Sequence, residues 1–142
     1  MKNQRWLWAV TAVFGLFIFL IIVLADLGKV HFLWDLINII PGGDKTGHFI
    51  LIGVLACLLN LSFGAPRTRG GKGRLLRVNV ILGILITIEE FTQMMVPWRG
   101  FSIRDGMANI LGIILFGRLA AWVVKRSRTD IASAPVEIVN DN

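Results

Sequence analysis

Long apolar runs separated by short polar gaps dominate the chain. Four stand out, at residues 6–25, 48–64, 78–97 and 107–124. Each is close to the roughly 20 residues that a helix needs to cross a bilayer. Helices are the form predicted for all four, because every backbone group in hydrocarbon must be bonded internally. The first run follows a short basic start and ends in Val23-Leu24-Ala25, a pattern shared with signal peptides. It is longer than the roughly 7–15 apolar residues of a signal core, so it is read as a retained helix. Between the first two runs, His31, Asp35 and Asn38 recur at spacings of four and three, opposite Phe32, Leu33, Leu36, Ile37 and Ile40. That pattern predicts a short amphipathic helix over 30–41 lying in the outer interface, with an ordinary packed loop as the alternative. The expected fold is all-α: an integral membrane bundle of four transmembrane helices with a short outer interfacial helix. It occupies residues 1–128, and residues 129–142 are expected to form a disordered cytoplasmic tail.

Composition sharpens this picture. Of 142 residues, 55% are hydrophobic and 17% charged, and the mean hydropathy is +0.70. A soluble domain of this size could not hide so much apolar surface. A water-soluble enzyme and a free nucleic-acid-binding domain are thereby excluded. The net charge of +6 sits in the polar gaps, where Lys and Arg serve topology and anionic headgroups rather than nucleic acid. With the N-terminus inside, the inner segments hold ten cations: Lys2, Arg5, Arg67, Arg69, Lys72, Arg74, Arg77, Lys125, Arg126 and Arg128. The outer segments hold four, Lys29, Lys45, Arg99 and Arg104, and Arg118 lies where it can snorkel to the inner headgroups. This bias predicts both termini in the cytoplasm. Trp6, Trp8 and Trp122 fall at inner helix ends and Trp34 and Trp98 at outer ones, as an aromatic belt requires. Residues 65–77 contain Gly70, Gly71 and Gly73 but no phosphate-loop spacing, so a flexible cytoplasmic loop is expected there. Cys57 stands alone in an apolar run and reads as packing; no metal-type spacing occurs, and neither metal nor cofactor is expected.

The chemistry-bearing residues collect towards one membrane face. The third run carries Glu89, Glu90 and Gln93 before Pro97. Glu90 lies seven residues before Pro97, about 10 Å into the membrane on an unbroken helix. A carboxyl there is expensive unless paired, protonated or wet. Adjacent carboxyls point about 100° apart, so one of the two is expected to face the bundle interior. Asp44, Lys45 and His48 open the second run, and taken alone Asp44 reads as an N-cap. Ser102 and Asp105 form the S-x-x-D pattern of a capping box, Asn109 lies one turn deeper, and Arg99 sits in the preceding loop. An antiparallel bundle would gather these into one pocket. Close packing is expected from the small-residue pairs Ala108/Gly112 and Gly117/Ala121.

Three blocks in order, Asp44-Lys45-Thr46-Gly47-His48-Phe49, then Glu90-x-x-Gln93-x-x-x-Pro97-x-Arg99, then Asp105-x-x-x-Asn109-x-x-Gly112, resemble the pattern of the VanZ-like membrane protein family. The resemblance extends to about Trp122. It implies that Asp44, Lys45, His48, Glu90, Gln93, Arg99, Asp105 and Asn109 occupy the family's polar positions. Trp98 departs from the small residue expected before the arginine, which would alter the loop or narrow the pocket mouth. The family takes its name from a protein associated with low-level teicoplanin resistance. The resemblance therefore implies a bacterial cytoplasmic-membrane protein in a cell-envelope setting linked to glycopeptide resistance, and no particular reaction.

Two classes of function remain open from the residues. In the first, the protein acts on or binds a lipid-anchored envelope molecule at the outer leaflet. Glu90, His48 and Asp105 are then the candidates for acid–base catalysis. Asp44, Lys45, Gln93, Arg99 and Asn109 are the candidates for binding. In the second, the same cluster is a structural or partner-binding element without turnover. A proton-coupled transporter ranks third, since four helices are few and no internal repeat is visible.

Overall fold

The computed structural model describes residues 2–29, 42–63 and 71–132. Four helices make up the described chain: α1 (Lys2–Asp26), α2 (Gly43–Ser62), α3 (Gly71–Thr92) and α4 (Ile103–Ala132), with a 3-10 turn at Gln93–Met95. Each contains a stretch long and apolar enough to span a bilayer: Gln4–Asp26, Gly43–Ser62, Leu76–Met95 and Ile103–Arg126. The chain is an all-α, multi-pass membrane protein built as a four-helix bundle. The interfacial helix expected over residues 30–41 lies outside the described residues, as do residues 133–142 of the expected tail. α4 itself continues past Arg128 to Ala132; no helix breaker occurs before Pro135.

Helix ends differ from the apolar runs in ways that matter for the site. α2 starts ahead of its run, because Gly42 turns the chain at φ 73°, a left-handed conformation that costs glycine little. Asp44 is therefore not a cap. It lies within the first turn, where a negative charge suits the helix dipole. α3 begins at Gly71, so the second half of the expected cytoplasmic loop is helical, its Lys, Arg and Leu residues being good helix formers. At its other end α3 stops at Thr92, well before Pro97. Val96 is extended (φ −105°, ψ 113°), as a residue preceding proline prefers, and the 3-10 turn closes the helix ahead of it. Glu90 thus occupies the last turn of α3 and is less deep than an unbroken helix to Pro97 would put it.

α2 and α4 form the closest pair. Gly112 of α4 lies against the Phe49 carbonyl and the Gly53 backbone of α2, and Gly53 in turn lies beneath the Phe116 ring. Phe49 and Phe116 meet edge to face at 5.7 Å. The core is small, centred on Ile18, Ile52, Ala56, Leu82 and Ile113. Val13, Leu16, Ile84 and Leu85 point outwards, the arrangement suited to lipid, where burial of apolar surface drives no association and close packing and hydrogen bonds must. One such set of bonds, not anticipated from sequence, lies in the half of the bundle away from the helix ends that carry the acidic residues. Thr11 Oγ1 and Ser62 Oγ are 2.7 Å apart, and Asn60 Nδ2 donates to Asn79 Oδ1 at 2.7 Å. Gln4 adds a bond to the Ser62 carbonyl. Gly117 leaves the space that Asn79 fills.

Replacing Gly112 with Val is expected to force α2 and α4 apart, because a Cβ there meets backbone that cannot rotate away. The loss should be about 1–3 kcal/mol, read as a lower melting temperature in detergent. Gly106→Ala, where a Cβ meets open space, should melt with the wild type; equal losses in the two variants would refute the close crossing.

Candidate functional site

Antiparallel packing brings four helix termini to one face: the end of α1, the start of α2, the end of α3 and the start of α4. The loop from α3 to α4 is docked there by two side chains. Trp98 donates its indole N–H to the Ala25 carbonyl at 3.1 Å, as a second donor beside the Gly28 backbone N–H that closes the end of α1. Its ring lies beside Gly28, so the bulky residue anchors the loop to α1. Arg99, next in sequence, pairs with Asp26 at 2.6 Å and with Glu89 at 3.3 Å. Its side chain is only 8% exposed, so it is an interior bridge between α1 and α3 rather than a rim cation.

Gln93 Nε2 lies between the two adjacent carboxylates, 3.0 Å from Glu89 Oε1 and 3.4 Å from Glu90 Oε2. Both carboxylates are therefore engaged, where one was expected to face inwards. The 100° between them is accommodated because they face different neighbours, Glu89 towards Arg99 and Glu90 towards α4. Glu90 is 2% exposed and accepts the Ser102 backbone N–H at 3.3 Å. In a capping box that N–H would bond to Asp105. Glu90 takes this place, and the Asp105 carboxylate is released to face α2.

There Asp105 meets the first turns of α2. Lys45 Nζ is 3.4 Å from Asp105 and 3.9 Å from Asp44, and His48 Nε2 is 3.8 Å from Asp44. Asn109, 1% exposed, lies one turn below Asp105. Neither its Oδ1 nor its Nδ2 finds a hydrogen-bond partner among the described residues, and Asp105 Oδ1 has only the ion pair with Lys45.

Two cavities open at this cluster. One, of about 260 Å³, runs between α1 and α2 along Phe17, Ile21, Ile22 and Leu51, and ends at Asp44, His48, Glu89, Arg99 and Asn109. The other, also about 260 Å³, is a polar vestibule walled by Asp44, His48, Gln93, Trp98, Arg99 and Asp105. Glu90 lines neither. It borders a separate apolar cleft between α3 and α4, shared with Asn109. The structure thus gathers Asp44, Lys45, His48, Gln93, Arg99, Asp105 and Asn109 as one group and places Glu90 behind it, as a support for α4.

Two participants were not among the candidates read from sequence. Glu89, rather than Glu90, is the α3 carboxylate that lines the α1–α2 cavity, and Asp26 anchors Arg99. An acidic residue closing a helix opposes the helix dipole, and that misfit was the available signal for Asp26. The assembled cluster holds five carboxylates (Asp26, Asp44, Glu89, Glu90, Asp105) against two permanent cations, Lys45 and Arg99. Comparison of the chain with protein-family models, curated proteins and solved structures finds no match.

Arg99→Gln strands Asp26 and Glu89 together. The expected loss is about 3 kcal/mol, the low end for a broken buried ion pair, since Asp26 is 38% exposed. Adding Asp26→Asn and Glu89→Gln should recover part of it. Melting curves in detergent test this, and no recovery in the triple variant would contradict the pairing.

Proposed function

We propose that the protein binds the polar headgroup of a lipid-anchored envelope molecule at the outer leaflet of a bacterial cytoplasmic membrane, with its own termini in the cytoplasm. The observation that carries this reading is the shape and chemistry of one cavity. An apolar trough between α1 and α2 leads directly into Asp44, His48, Glu89, Arg99 and Asn109, which suits an amphiphile with its chain along the helices and its headgroup at their ends. The unbonded amide of Asn109 and the His48 imidazole favour a group rich in amides or hydroxyls. Both cations are already paired with carboxylates, so a bare anion is disfavoured unless a further cation accompanies it. His48 on the wall of this cavity and Asp105 on that of the adjoining vestibule support the reading of these two as proton-transfer candidates. The resemblance to VanZ-like proteins adds the envelope setting and a link to glycopeptide, and specifically teicoplanin, susceptibility. A second reading has its own support: Arg99 and Trp98 tie α1 to the α3–α4 loop, as in a structural module that pins helix ends without binding a ligand.

Orientation is tested by single cysteines in a Cys57→Ser background. A Cys at position 100 should react with an impermeant maleimide from outside, and one at position 71 should not; the reverse pattern would invert the topology.

Binding is tested by lipid content after purification in mild detergent. Ile22→Trp, which fills the trough, and Asn109→Leu, which removes its amide, should keep near-normal melting temperatures, lose co-purified lipid and fail to restore envelope-stress and teicoplanin phenotypes in a deletion strain. Variants that fold, carry the wild-type lipids and complement fully would favour the pinning module instead.

A further inference from the structure

Two ligand-type side chains on α2 are joined by one from α4, an arrangement that no spacing along the chain reveals. Asp44 and His48 lie one helical turn apart, and Asp105 reaches them from the first turn of α4. Two carboxylate oxygens and one imidazole nitrogen, one atom from each residue, lie within 4.8 Å of one another. We propose that Asp44, His48 and Asp105 bind a divalent first-row transition ion, such as Zn²⁺ or Mn²⁺, at the head of the α1–α2 cavity.

Four observations carry this. The donor set, two hard oxygens and a borderline nitrogen, is one that such ions accept, and the imidazole disfavours Mg²⁺ and Ca²⁺. Ligands of a common ion with bonds of about 2.1 Å stand roughly 3–4 Å apart, a contraction that small rotations of three short side chains supply. Asn109 provides an independent pointer. It is 1% exposed, both its side-chain heteroatoms are unbonded, and it lines the same cavity as Asp44 and His48. A buried amide left so costs about 1–3 kcal/mol per group, a cost that an ion-bound water donating to its Oδ1 would relieve. The balance of charge agrees: five carboxylates meet two cations in this cluster, and one of those, Arg99, is held by Asp26 and Glu89.

Lys45 is the competitor. Its ammonium stands 3.4 Å from Asp105, but its side chain is 41% exposed on a flexible stem, so it can turn to solvent when a doubly charged ion takes its place. The ion's open side would face the vestibule bordered by Gln93 and Arg99. There it would supply the positive charge needed to hold a phosphate or carboxylate. The site does not rest on the headgroup reading, since an ion can bind with no lipid present.

The test uses the full chain, purified in detergent, stripped with chelator and titrated with Zn²⁺, Mn²⁺ and Co²⁺ by calorimetry, with Co²⁺ absorption as a second readout. One equivalent of Zn²⁺ should bind and raise the melting temperature, and Co²⁺ should give a nitrogen–oxygen spectrum without a thiolate band. His48→Ala and Asp105→Asn should each weaken binding about 100-fold or more, at or beyond the upper end of what loss of a supporting residue costs. Cys57→Ser should bind as wild type. Lys45→Met should bind more tightly than wild type, an effect that misfolding cannot imitate. Absence of uptake by the wild type, retention of the site in folded His48→Ala and Asp105→Asn, or unchanged affinity in Lys45→Met would each overturn the proposal. Displacement of the ion by an equal concentration of Mg²⁺ would overturn the assignment to a transition ion. Lipid content, measured on the same preparations, reports separately on the headgroup reading.

Discussion

A carboxylate in or beside hydrocarbon must find a cation, a hydrogen-bond donor or water, and five of them converge at one end of this bundle. Arg99 is the group that makes this tolerable. Its guanidinium, almost fully withdrawn from solvent, spans Asp26 at the end of α1 and Glu89 at the end of α3. One nitrogen, Nη1, makes both contacts, and its two N–H groups serve carboxylates from different helices. Trp98 fixes the backbone that delivers the guanidinium by bonding to the α1 terminus. Loop geometry, helix-end spacing and the shape of the vestibule all follow from this pair of residues.

The other constraint is steric. Helices in lipid gain nothing from burying apolar surface against one another, so α2 and α4 approach through the absence of side chains. Gly112 on Phe49 and Gly53 sets their separation. That separation in turn brings Asp105 within reach of Asp44, Lys45 and His48. With a wider crossing, the two halves of the cluster would be separate surface features. The buried Asn60–Asn79 and Thr11–Ser62 bonds hold the opposite half of the bundle, where Asn60 Oδ1 is left without a partner among the described residues; at the acidic end both heteroatoms of Asn109 are. Asp105 Oδ1 there has only its 3.4 Å ion pair with Lys45.

Hydropathy and length determined the four spans and the all-α class, because a bilayer leaves a chain of this composition few other choices. Helical spacing likewise placed Asp44 with His48 and Asp105 with Asn109, since positions three and four apart share a face whatever surrounds them. Small residues at Gly112 and Gly117 announced close packing. The partners of each polar group depended on contacts between residues far apart in the chain. Glu90 bonds to Ser102 only because α3 ends early, Asp105 turns to α2 only because Glu90 has taken its capping role, and Arg99 is interior only because α1 ends in Asp26 beside it. The sequence offered Lys45 and Arg99 as binding cations; three dimensions pair both with carboxylates in an acidic pocket, because ion pairs depend on which helix ends meet, and that is decided by packing rather than by local pattern.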